Sequence, residues 1–413
     1  MNKKDISELR TRMSKSKCTF TRMSGCYVTS DKDILLHINE TFLNLEDDEF
    51  DKYLAIAKKT LSGTLGNNLL ELDFPLEEEL TGGKQQFLMG LRESKLKNEE
   101  LLETFYKLII DNYDYVGNYL ILVFHDVYDV ISKTKDNFKL DESEEVHEYL
   151  ICAICPVKLS KAGLGYLEDE NKIGPRHRDW VVSAPDTGFV FPAFTDRSTD
   201  IHSTMFYTKS TAEPHRELIE SVLGCPSKPT ATEQKNTFQS IIKTAVNDSE
   251  QENKVYGDIQ ESLSLLAQEQ SELLGSEDEQ VVLTNESVRE ILQENFLPEE
   301  IVDKIETAYK ENFAEEPPAV DYLLDKKVIA ENNKLKAQKQ LMEKVEVLEE
   351  QLEEAKNSTE SSFDEEFDVI LHIKPEKVDR IKEEFIDGKR CITIPIDEDE
   401  QIKVNGMTDL SFL

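Results

Sequence analysis

Six charged side chains in residues 176–207, RHRDWVVSAPDTGFVFPAFTDRSTDIHSTMFY, are the candidates for chemistry in this chain. They form the set that we select as a ligand or partner surface: Arg176, Arg178, Asp196, Arg197, Asp200 and His202. A guanidinium group can hold a phosphate or a carboxylate through two parallel hydrogen bonds. Because arginines and carboxylates alternate here, an ion-pair network at a sheet rim is the plainest interpretation, and an anion-binding or partner-binding surface is the functional one.

A metal site is the second interpretation of the same segment. Mg²⁺ takes few direct carboxylates and keeps several waters, so Asp196 and Asp200 on one loop would suffice, with His177 or His202 nearby for a softer metal. Such a site would make the protein a metal-dependent hydrolase of a phosphate-containing substrate. The arginines compete for the same carboxylates, and the serines lack the Gly-x-Ser-x-Gly context of a nucleophile. We therefore predict no metal and no cofactor, and we assign no catalytic residue.

Two other motifs are weaker. Cys152 and Cys155 form a Cys-x-x-Cys, but no second pair of ligands has zinc spacing, and strand alternation would send the two thiols to opposite faces. We interpret them as structural. The glycines of residues 61–70 match neither Gly-x-Gly-x-x-Gly nor a Walker motif, so this segment is predicted to be a helix end and a turn.

The charge balance limits the class of partner. The chain has 413 residues and a net charge of −36, which disfavours general coating of nucleic acid. Residues 1–22 are the exception, with seven basic residues against two acidic ones. This basic start could touch a polyanion, or it could dock on the acidic surface of the protein itself or simply be solvated, and we favour the last two interpretations. Nucleic acid is therefore expected to bind only through this arm, if at all.

The sequence also bears on the cellular compartment. No stretch approaches the ~18 consecutive apolar residues of a membrane span. The start of the chain lacks the apolar core of a signal peptide. We expect a cytoplasmic protein that binds no membrane and whose six cysteines are reduced thiols.

The elements that hold these residues predict an α+β fold. N-terminal helices and a mainly antiparallel sheet come first, then a helical arm with a short coiled-coil-like helix, then a small C-terminal α/β domain. Predicted divisions are a basic arm at 1–22, a main α+β domain at 23–226, a linker and helical region at 227–318, a long helix at 319–356, a linker at 357–366, and the α/β domain at 367–413. The long helix keeps coiled-coil spacing through Leu341, Val345, Leu348, Leu352 and Ala355, which allows a weak homodimer.

Local patterns give the strands and helices of the main domain. Two apolar strands, at 119–131 and 148–157, are expected to pair. Residues 179–208 are predicted to form a three-stranded antiparallel meander, with a β-turn at Pro185, Asp186, Thr187 and Gly188. Helices are expected from residue 33 onward, over 84–113 and at 213–223. In the C-terminal domain we predict strands at 367–373, 390–396 and 400–404 and a helix at 375–386.

Several segments resemble a bacterial domain-of-unknown-function family of about this length. They are CTFTRMSGCYV, KTLSGTLGNNLLELDFPLEEE, NYDYVGNYLILVFHDVYD, ICPVKLSKAGLGY, RDWVVSAPDTGFVFPAFTDRSTDIHSTMFYTK and KRCITIPIDEDEQIKVNG. The resemblance implies a soluble bacterial protein and assigns no catalytic residue.

These observations favour a non-enzymatic cytoplasmic protein that binds a macromolecular partner, either a protein or a ribonucleoprotein such as the ribosome. The absence of a complete catalytic motif and the series of domains joined by linkers motivate this hypothesis. The alternatives are the hydrolase described above and a regulatory module that reads a small anionic ligand through Arg178 and Arg197.

Overall fold

A large antiparallel sheet is the main element of the chain. The computed structural model describes residues 1–133, 139–246, 249–274, 281–314, 316–363 and 373–396. Its strands up to residue 208 are β1 (Phe20–Val28), β2 (Ile34–Glu40), β3 (Leu69–Asp73), β4 (Asn118–Lys133), β5 (Lys139–Leu159), β6 (Leu164–Leu167), β7 (Lys172–Pro175), β8 (Trp180–Val182), β9 (Thr187–Phe191), β10 (Ala193–Thr195), β11 (Ser198–Asp200) and β12 (Ser203–Thr208). The large sheet has the order β2-β1-β4-β5-β9-β12-β3, and β8 also pairs with β5. The fold class is α+β, as predicted.

Helices precede, interrupt and follow the sheet. They are α1 (Lys3–Arg12), α2 (Asp47–Lys59), α3 (Lys84–Glu93), α4 (Glu99–Asn112), α5 (Arg216–Leu218), α6 (Ala231–Val246), α7 (Ser249–Leu274), α8 (Asn285–Glu294), α9 (Glu299–Phe313), α10 (Val320–Leu323) and α11 (Lys326–Phe363). Short 3₁₀ turns occur at Phe42–Asn44, Glu168–Glu170 and Pro375–Arg380, and a π-helical turn at Ile219–Leu223 continues α5. No helix in the described part of the chain has the length and apolar content needed to span a membrane.

Strand β4 is buried on both faces, as its continuous apolar sequence predicts. Ile121 and Val123 contribute to one core, which α3 and α4 cover. Leu120 and Leu122 contribute to the core on the other face, which α1 and α2 cover. The predicted pairing of β4 with β5 is confirmed, and the two strands run antiparallel. The sheet is therefore the middle layer between two layers of helices.

The two thiols of the Cys-x-x-Cys motif lie on opposite faces of β5, as strand alternation predicts. Cys152 belongs to the core beneath α3 and α4, and Cys155 to the core beneath α1 and α2. Burial raises the pKa of the Cys155 thiol to about 12. These cysteines are protonated packing residues at neutral pH.

The predicted three-stranded meander is wrong in one connection. Strands β8 and β9 both pair antiparallel with successive parts of β5, so the chain does not reverse between them. The backbone NH of Asp186 donates to the carbonyl of Ile154 at 2.9 Å, which keeps this segment on β5. Its carboxylate also accepts from the Tyr113 hydroxyl at 3.2 Å. The Pro-Asp-Thr-Gly sequence thus links two strands that run in the same direction along β5. The reversal predicted between the second and third strands is present, because β9 and β12 are antiparallel neighbours.

Residues 34–40 form strand β2 rather than the start of a helix. The strand pairs with β1 at the edge of the sheet, and this tertiary pairing overrides the helical spacing of the apolar residues that follow. The helix predicted in this region begins only at Asp47. The two helices over 84–113 agree with prediction, and the helix after Pro214 ends at Gly224, whose φ is +75°.

Helices α6 to α10 enclose a third core of their own, within the compact unit Met1–Asn332. The helix predicted from 319 is two helices, because the backbone leaves the helical conformation at Leu324 (φ −67°, ψ 126°) between α10 and α11. Helix α11 continues to Phe363, into the segment predicted as a linker.

The second unit, Asn333–Leu413, contains a small hairpin. Its strands are β13 (Lys382–Ile386) and β14 (Lys389–Thr393), so the helix predicted at 375–386 is wrong beyond the 3₁₀ turn. Asp387 and Gly388 both have positive φ, which is the two-residue turn that favours Asp-Gly in hairpins. The strand predicted at 400–404 lies outside the described residues, as do residues 367–372 of the strand predicted at 367–373.

Candidate functional site

The six residues selected from the sequence lie in three separate places. Asp196 and Arg197 form the turn between β10 and β11, and they contact α1. Asp200 and His202 lie at the other end of the same hairpin. Arg176 belongs to a different part of the chain, the connection between β7 and β8, as does Arg178.

The β10–β11 turn is docked on α1. Asp196 and Arg197 have φ values of +50° and +63°, the left-handed backbone of a two-residue hairpin turn. The Nη1 of Arg197 donates to both carboxylate oxygens of Glu8, at 2.7 and 2.8 Å. The Oδ1 of Asp196 accepts from Asn2 at 3.4 Å. Both side chains are thus engaged by residues of the basic start of the chain.

The basic start itself is a helix packed on the sheet. Asn2 caps α1 with its side chain, and the Asp5 carboxylate accepts the backbone NH of Asn2 in return. Ile6 and Leu9 are buried against the core beneath the helix. Of the two favoured interpretations of residues 1–22, this arrangement agrees with docking on the protein's own surface rather than with simple solvation.

A buried carboxylate, Asp126 on β4, organises the polar contacts beneath α1. Its Oδ1 accepts from the Thr19 hydroxyl at 2.7 Å and from the backbone NH of Val127 at 2.9 Å. Its Oδ2 accepts from the Tyr149 hydroxyl at 2.6 Å. Arg12 of α1 donates to the same Thr19 hydroxyl at 2.7 Å. Burial, followed by the charge of Asp126, raises the pKa of the Tyr149 phenol, so this tyrosine is a donor throughout the physiological range.

Tyr128 and His147 extend this network along the strands. The Tyr128 hydroxyl donates to Glu8 at 2.5 Å, and the guanidinium of Arg12 lies 3.7 Å from the centre of the Tyr128 ring. His147 stacks on Tyr149 with ring centres 4.7 Å apart. We call the set Glu8, Arg12, Thr19, Asp126, Tyr128, His147 and Tyr149 the α1 cluster.

His147 is neutral within the α1 cluster. Its Nδ1 lies 2.9 Å from the Thr199 hydroxyl, and its Nε2 has no hydrogen-bond partner among the residues that the structure describes. Burial lowers the pKa of this imidazole to about 3. A second proton on this ring would therefore bring an uncompensated charge into the core.

Asp200 and His202 have local partners. The Oδ2 of Asp200 accepts from the Ser203 hydroxyl at 2.7 Å, and its Oδ1 accepts the backbone NH of His202 at 3.0 Å. The imidazole Nδ1 of His202 lies 2.7 Å from Glu79, whose hydrogen bond raises the pKa of the histidine. Across the described ranges, no group of three or more His, Cys, Asp and Glu side chains is arranged to hold a metal ion, and this includes Asp196, Asp200 and His202.

Residues 157–182 form a long two-stranded ribbon, which we call the ribbon arm. Its register is constant from Leu159 opposite Trp180 to Leu167 opposite Lys172. Between these paired segments, backbone hydrogen bonds join residue 160 to 179 and residue 176 to 163 at 2.8 and 2.9 Å. The ribbon arm therefore continues β5 and β8 outward and turns back at the Glu168–Glu170 3₁₀ turn.

One face of the ribbon arm is apolar and exposed. Leu164 lies opposite Pro175 and Tyr166 lies opposite Ile173, so all four side chains share a face. Leu164, Tyr166 and Ile173 are 77%, 58% and 67% exposed. A two-stranded ribbon of this kind buries little surface by itself and is marginally stable when isolated. Its apolar face is exposed to solvent in the part of the chain that the structure describes.

The opposite face combines an aromatic ring with basic groups. Trp180, the single tryptophan of the chain, is 55% exposed and lies opposite Leu159. Arg176 packs its Cβ 3.5 Å from the position that a Cβ on Gly165 would occupy. The Nε of Arg178 donates to the backbone carbonyl of Ser160 at 2.8 Å, which holds this guanidinium against the ribbon.

Sequence reasoning identified Arg176 and Arg178 but missed the apolar face around Tyr166. The signal was present, since Leu164, Tyr166 and Ile173 alternate with glycine and polar residues, as in a strand with one apolar face. The members of the α1 cluster carried no such signal. Glu8, Asp126 and His147 are distant in sequence and meet only after the sheet has formed.

These features define an α+β protein whose central sheet carries an exposed β-ribbon. The chain belongs to the family described as domain of unknown function DUF4317, whose sequence model matches residues 1–407. No curated protein sequence matches the chain.

Proposed function

We propose that the protein is a non-enzymatic cytoplasmic protein that binds a ribonucleoprotein partner, such as the ribosome, through the ribbon arm. The observation that carries the proposal is the pair of contrasting faces on one exposed ribbon. Leu164, Tyr166 and Ile173 offer an apolar face to a protein component, and Trp180 with Arg176 offers stacking and phosphate contacts to RNA.

The composition of the arm agrees with binding hot spots. Tryptophan, tyrosine and arginine are the residues that most often dominate binding energy, and Trp180, Tyr166 and Arg176 are all on this ribbon. An exposed apolar ribbon would otherwise be a site of non-specific association. A partner that covers it would bury this surface and stabilise the ribbon.

The charge of the arm supports contact with a polyanion despite the acidity of the chain. Residues 157–182 contain five basic residues against four acidic ones, while the whole chain carries −36. Three of those four acidic residues are at the tip, Glu168–Glu170, leaving the basic ones along the strands. Phosphate contacts here would make binding sensitive to salt.

Co-sedimentation with purified bacterial ribosomes tests the proposal directly. We expect the full-length chain to sediment with ribosomes at low salt and to be released as salt is raised. The double variant Arg176→Ser with Trp180→Ser should bind at least about tenfold more weakly, because it removes a phosphate contact and a stacking surface.

The matched control is Leu76→Ser with Lys97→Ser, which removes one exposed apolar and one exposed basic side chain elsewhere on the surface. This control should bind like the unmodified chain. Failure of the unmodified chain to sediment with ribosomes at low salt would overturn the proposal. Equal binding by the two double variants would overturn the role of the ribbon arm.

Helix α11 offers a separate contact surface, for a second copy of the chain. Leu341, Val345, Leu348 and Leu352 follow coiled-coil spacing and are all exposed. We propose that they pair weakly with a second copy of the helix, which the sequence pattern allows. Sedimentation equilibrium of the chain with Leu348→Lys, compared with the unmodified chain, tests this pairing, which should weaken when a lysine replaces the leucine.

A further inference from the structure

We propose that a cleft between the sheet and helices α6 and α10 binds a nucleoside phosphate. Two adjoining cavities of about 500 and 650 Å³ form the cleft. Both are lined by Lys3, Leu65, Asp321 and Tyr322, which makes them one continuous groove. Cavities of this size are typical of small-molecule sites. The inference is independent of the ribbon arm, which contributes none of the lining residues.

The larger cavity is basic in a strongly acidic protein. Four lysines line it, Lys3, Lys235, Lys326 and Lys327, against two carboxylates. One of the two, Asp325, is already engaged, because it lies 3.3 Å from the ammonium of Lys235 and accepts the backbone NH of Lys327 at 3.1 Å. No hydrogen bond or ion pair is seen for the side chains of Lys326 and Lys327 among the described residues. They are available for a phosphate.

The smaller cavity offers features that recognise a nucleoside. Gln234 lines it and is only 8% exposed, and its Oε1 has no hydrogen-bond partner in the described part of the chain. Its Nε2 donates to the carbonyl of Pro229 at 3.2 Å, which fixes the amide. A buried acceptor without a donor is costly, and an amino group of a base would satisfy it. Tyr322 provides a ring, and Asp321 provides an acceptor for ribose hydroxyls.

The walls of the cleft are joined by hydrogen bonds. The backbone NH of Ala231 donates to the carbonyl of Gly66 at 2.6 Å. The Oδ1 of Asn67 accepts from the backbone NH of Thr232 at 2.8 Å and from its hydroxyl at 2.9 Å. These bonds fix the start of α6 to the glycine-containing turn before β3. Because the walls are held in place, little conformational entropy is lost when a ligand enters.

The turn that forms this wall needs glycine at residue 66. Gly66 has a φ of +77°, and a Cβ at this position would lie 2.4 Å from the Tyr322 ring. The ring therefore rests directly on the backbone of the turn. This contact explains why residue 66 is a glycine, although residues 61–70 match no phosphate-binding motif. It also places the Tyr322 ring where the two cavities meet.

Isothermal titration calorimetry of the full chain tests the proposal with ATP, adenosine and inorganic triphosphate as probes. We expect ATP to bind more tightly than either of the other two, because it alone fills both cavities. Lys326→Gln with Lys327→Gln should weaken ATP binding by about tenfold through loss of two charges. Gln234→Leu should weaken ATP binding and leave triphosphate binding unchanged, with the melting temperature of the free variant reporting its folding.

The control is Lys52→Gln with Lys107→Gln, which removes the same charge from exposed positions outside the cleft and should bind ATP like the unmodified chain. Absence of ATP binding would overturn the proposal. Equal affinity for ATP and triphosphate would overturn it as well, since the lysines alone would then explain binding. So would equal loss of ATP affinity in the two double variants.

Discussion

The α1 cluster and the ribbon arm contain the same kinds of residue on adjacent parts of one sheet, but those of the α1 cluster are largely buried and hydrogen-bonded whereas those of the ribbon arm are exposed. Both contain arginine, aromatic rings and a histidine or carboxylate on strands. In the α1 cluster, Asp126 receives three hydrogen bonds and is buried. On the ribbon arm, Trp180 and Tyr166 remain largely exposed. Residue type therefore does not distinguish a buried structural network from an exposed surface, whereas the number of hydrogen bonds made within the chain does.

The largest expected effect is on stability, from Asp126→Ala. The change would leave the buried Tyr149 hydroxyl without its acceptor, and the partly buried Val127 NH and the Thr19 hydroxyl would lose theirs as well. We expect a loss of about 3–5 kcal/mol in the free energy of unfolding, measured by urea denaturation. Asp129→Ala, an exposed carboxylate on the same strand, is the control and should have almost no effect. Similar losses for both would contradict the role assigned to Asp126.

The next effect depends on pH and comes from His147. The pKa of His147 is about 3 in the folded chain, whereas a histidine in the unfolded chain has the ordinary value of 6.5. Between pH 3 and 6.5 the unfolded chain therefore binds a proton that the folded chain does not. The stability contributed by keeping this imidazole neutral is present above pH 6.5 and is lost as pH falls towards 3. His147→Phe keeps an aromatic ring and removes this titration. Urea unfolding at a series of pH values should show a flatter profile for the variant, and parallel profiles would refute the assignment.

A smaller effect is expected at the edge of the α1 cluster. Arg197→Ala removes the double hydrogen bond to Glu8. The pair is partly exposed, so we expect a loss of about 1–2 kcal/mol in unfolding free energy. Arg22→Ala removes a single exposed hydrogen bond to Asn39 and should cost less. Thermal unfolding of the two variants compares them, and a larger shift for Arg22→Ala would weaken the description of the docked turn.

The smallest effect on stability is expected on the ribbon arm. Tyr166→Ser with Ile173→Ser changes two exposed side chains and should alter the free energy of unfolding by less than about 0.5 kcal/mol each. The same variant should lose ribosome binding in the sedimentation experiment. A large loss of stability would instead mean that this face is covered by the chain's own residues in solution, and the contrast between the two regions would fail.

The sequence was most informative where one local pattern dominated. The apolar run of β4 predicted a doubly buried strand, and the spacing of Cys152 and Cys155 predicted opposite faces. The predictions failed where tertiary pairing decided the structure, as at residues 34–40, which pair with β1, and at Asp186, whose backbone NH bonds to β5. The Asp387-Gly388 pair is a typical hairpin turn sequence, but the helical spacing before it led to a helix prediction at 375–386 where the structure has strand β13. Convergence of Glu8, Asp126 and His147 depends on strand register, which no local pattern specifies.

The position of Trp180 has a practical consequence. Because the chain has one tryptophan and it lies half-exposed on the ribbon arm, indole emission reports on this surface alone. A partner that covers the arm would move the ring from water into a less polar environment and shift the emission to shorter wavelength. The unmodified chain thus carries an optical probe at the surface where contact is proposed, and occupancy can be followed without attaching a label.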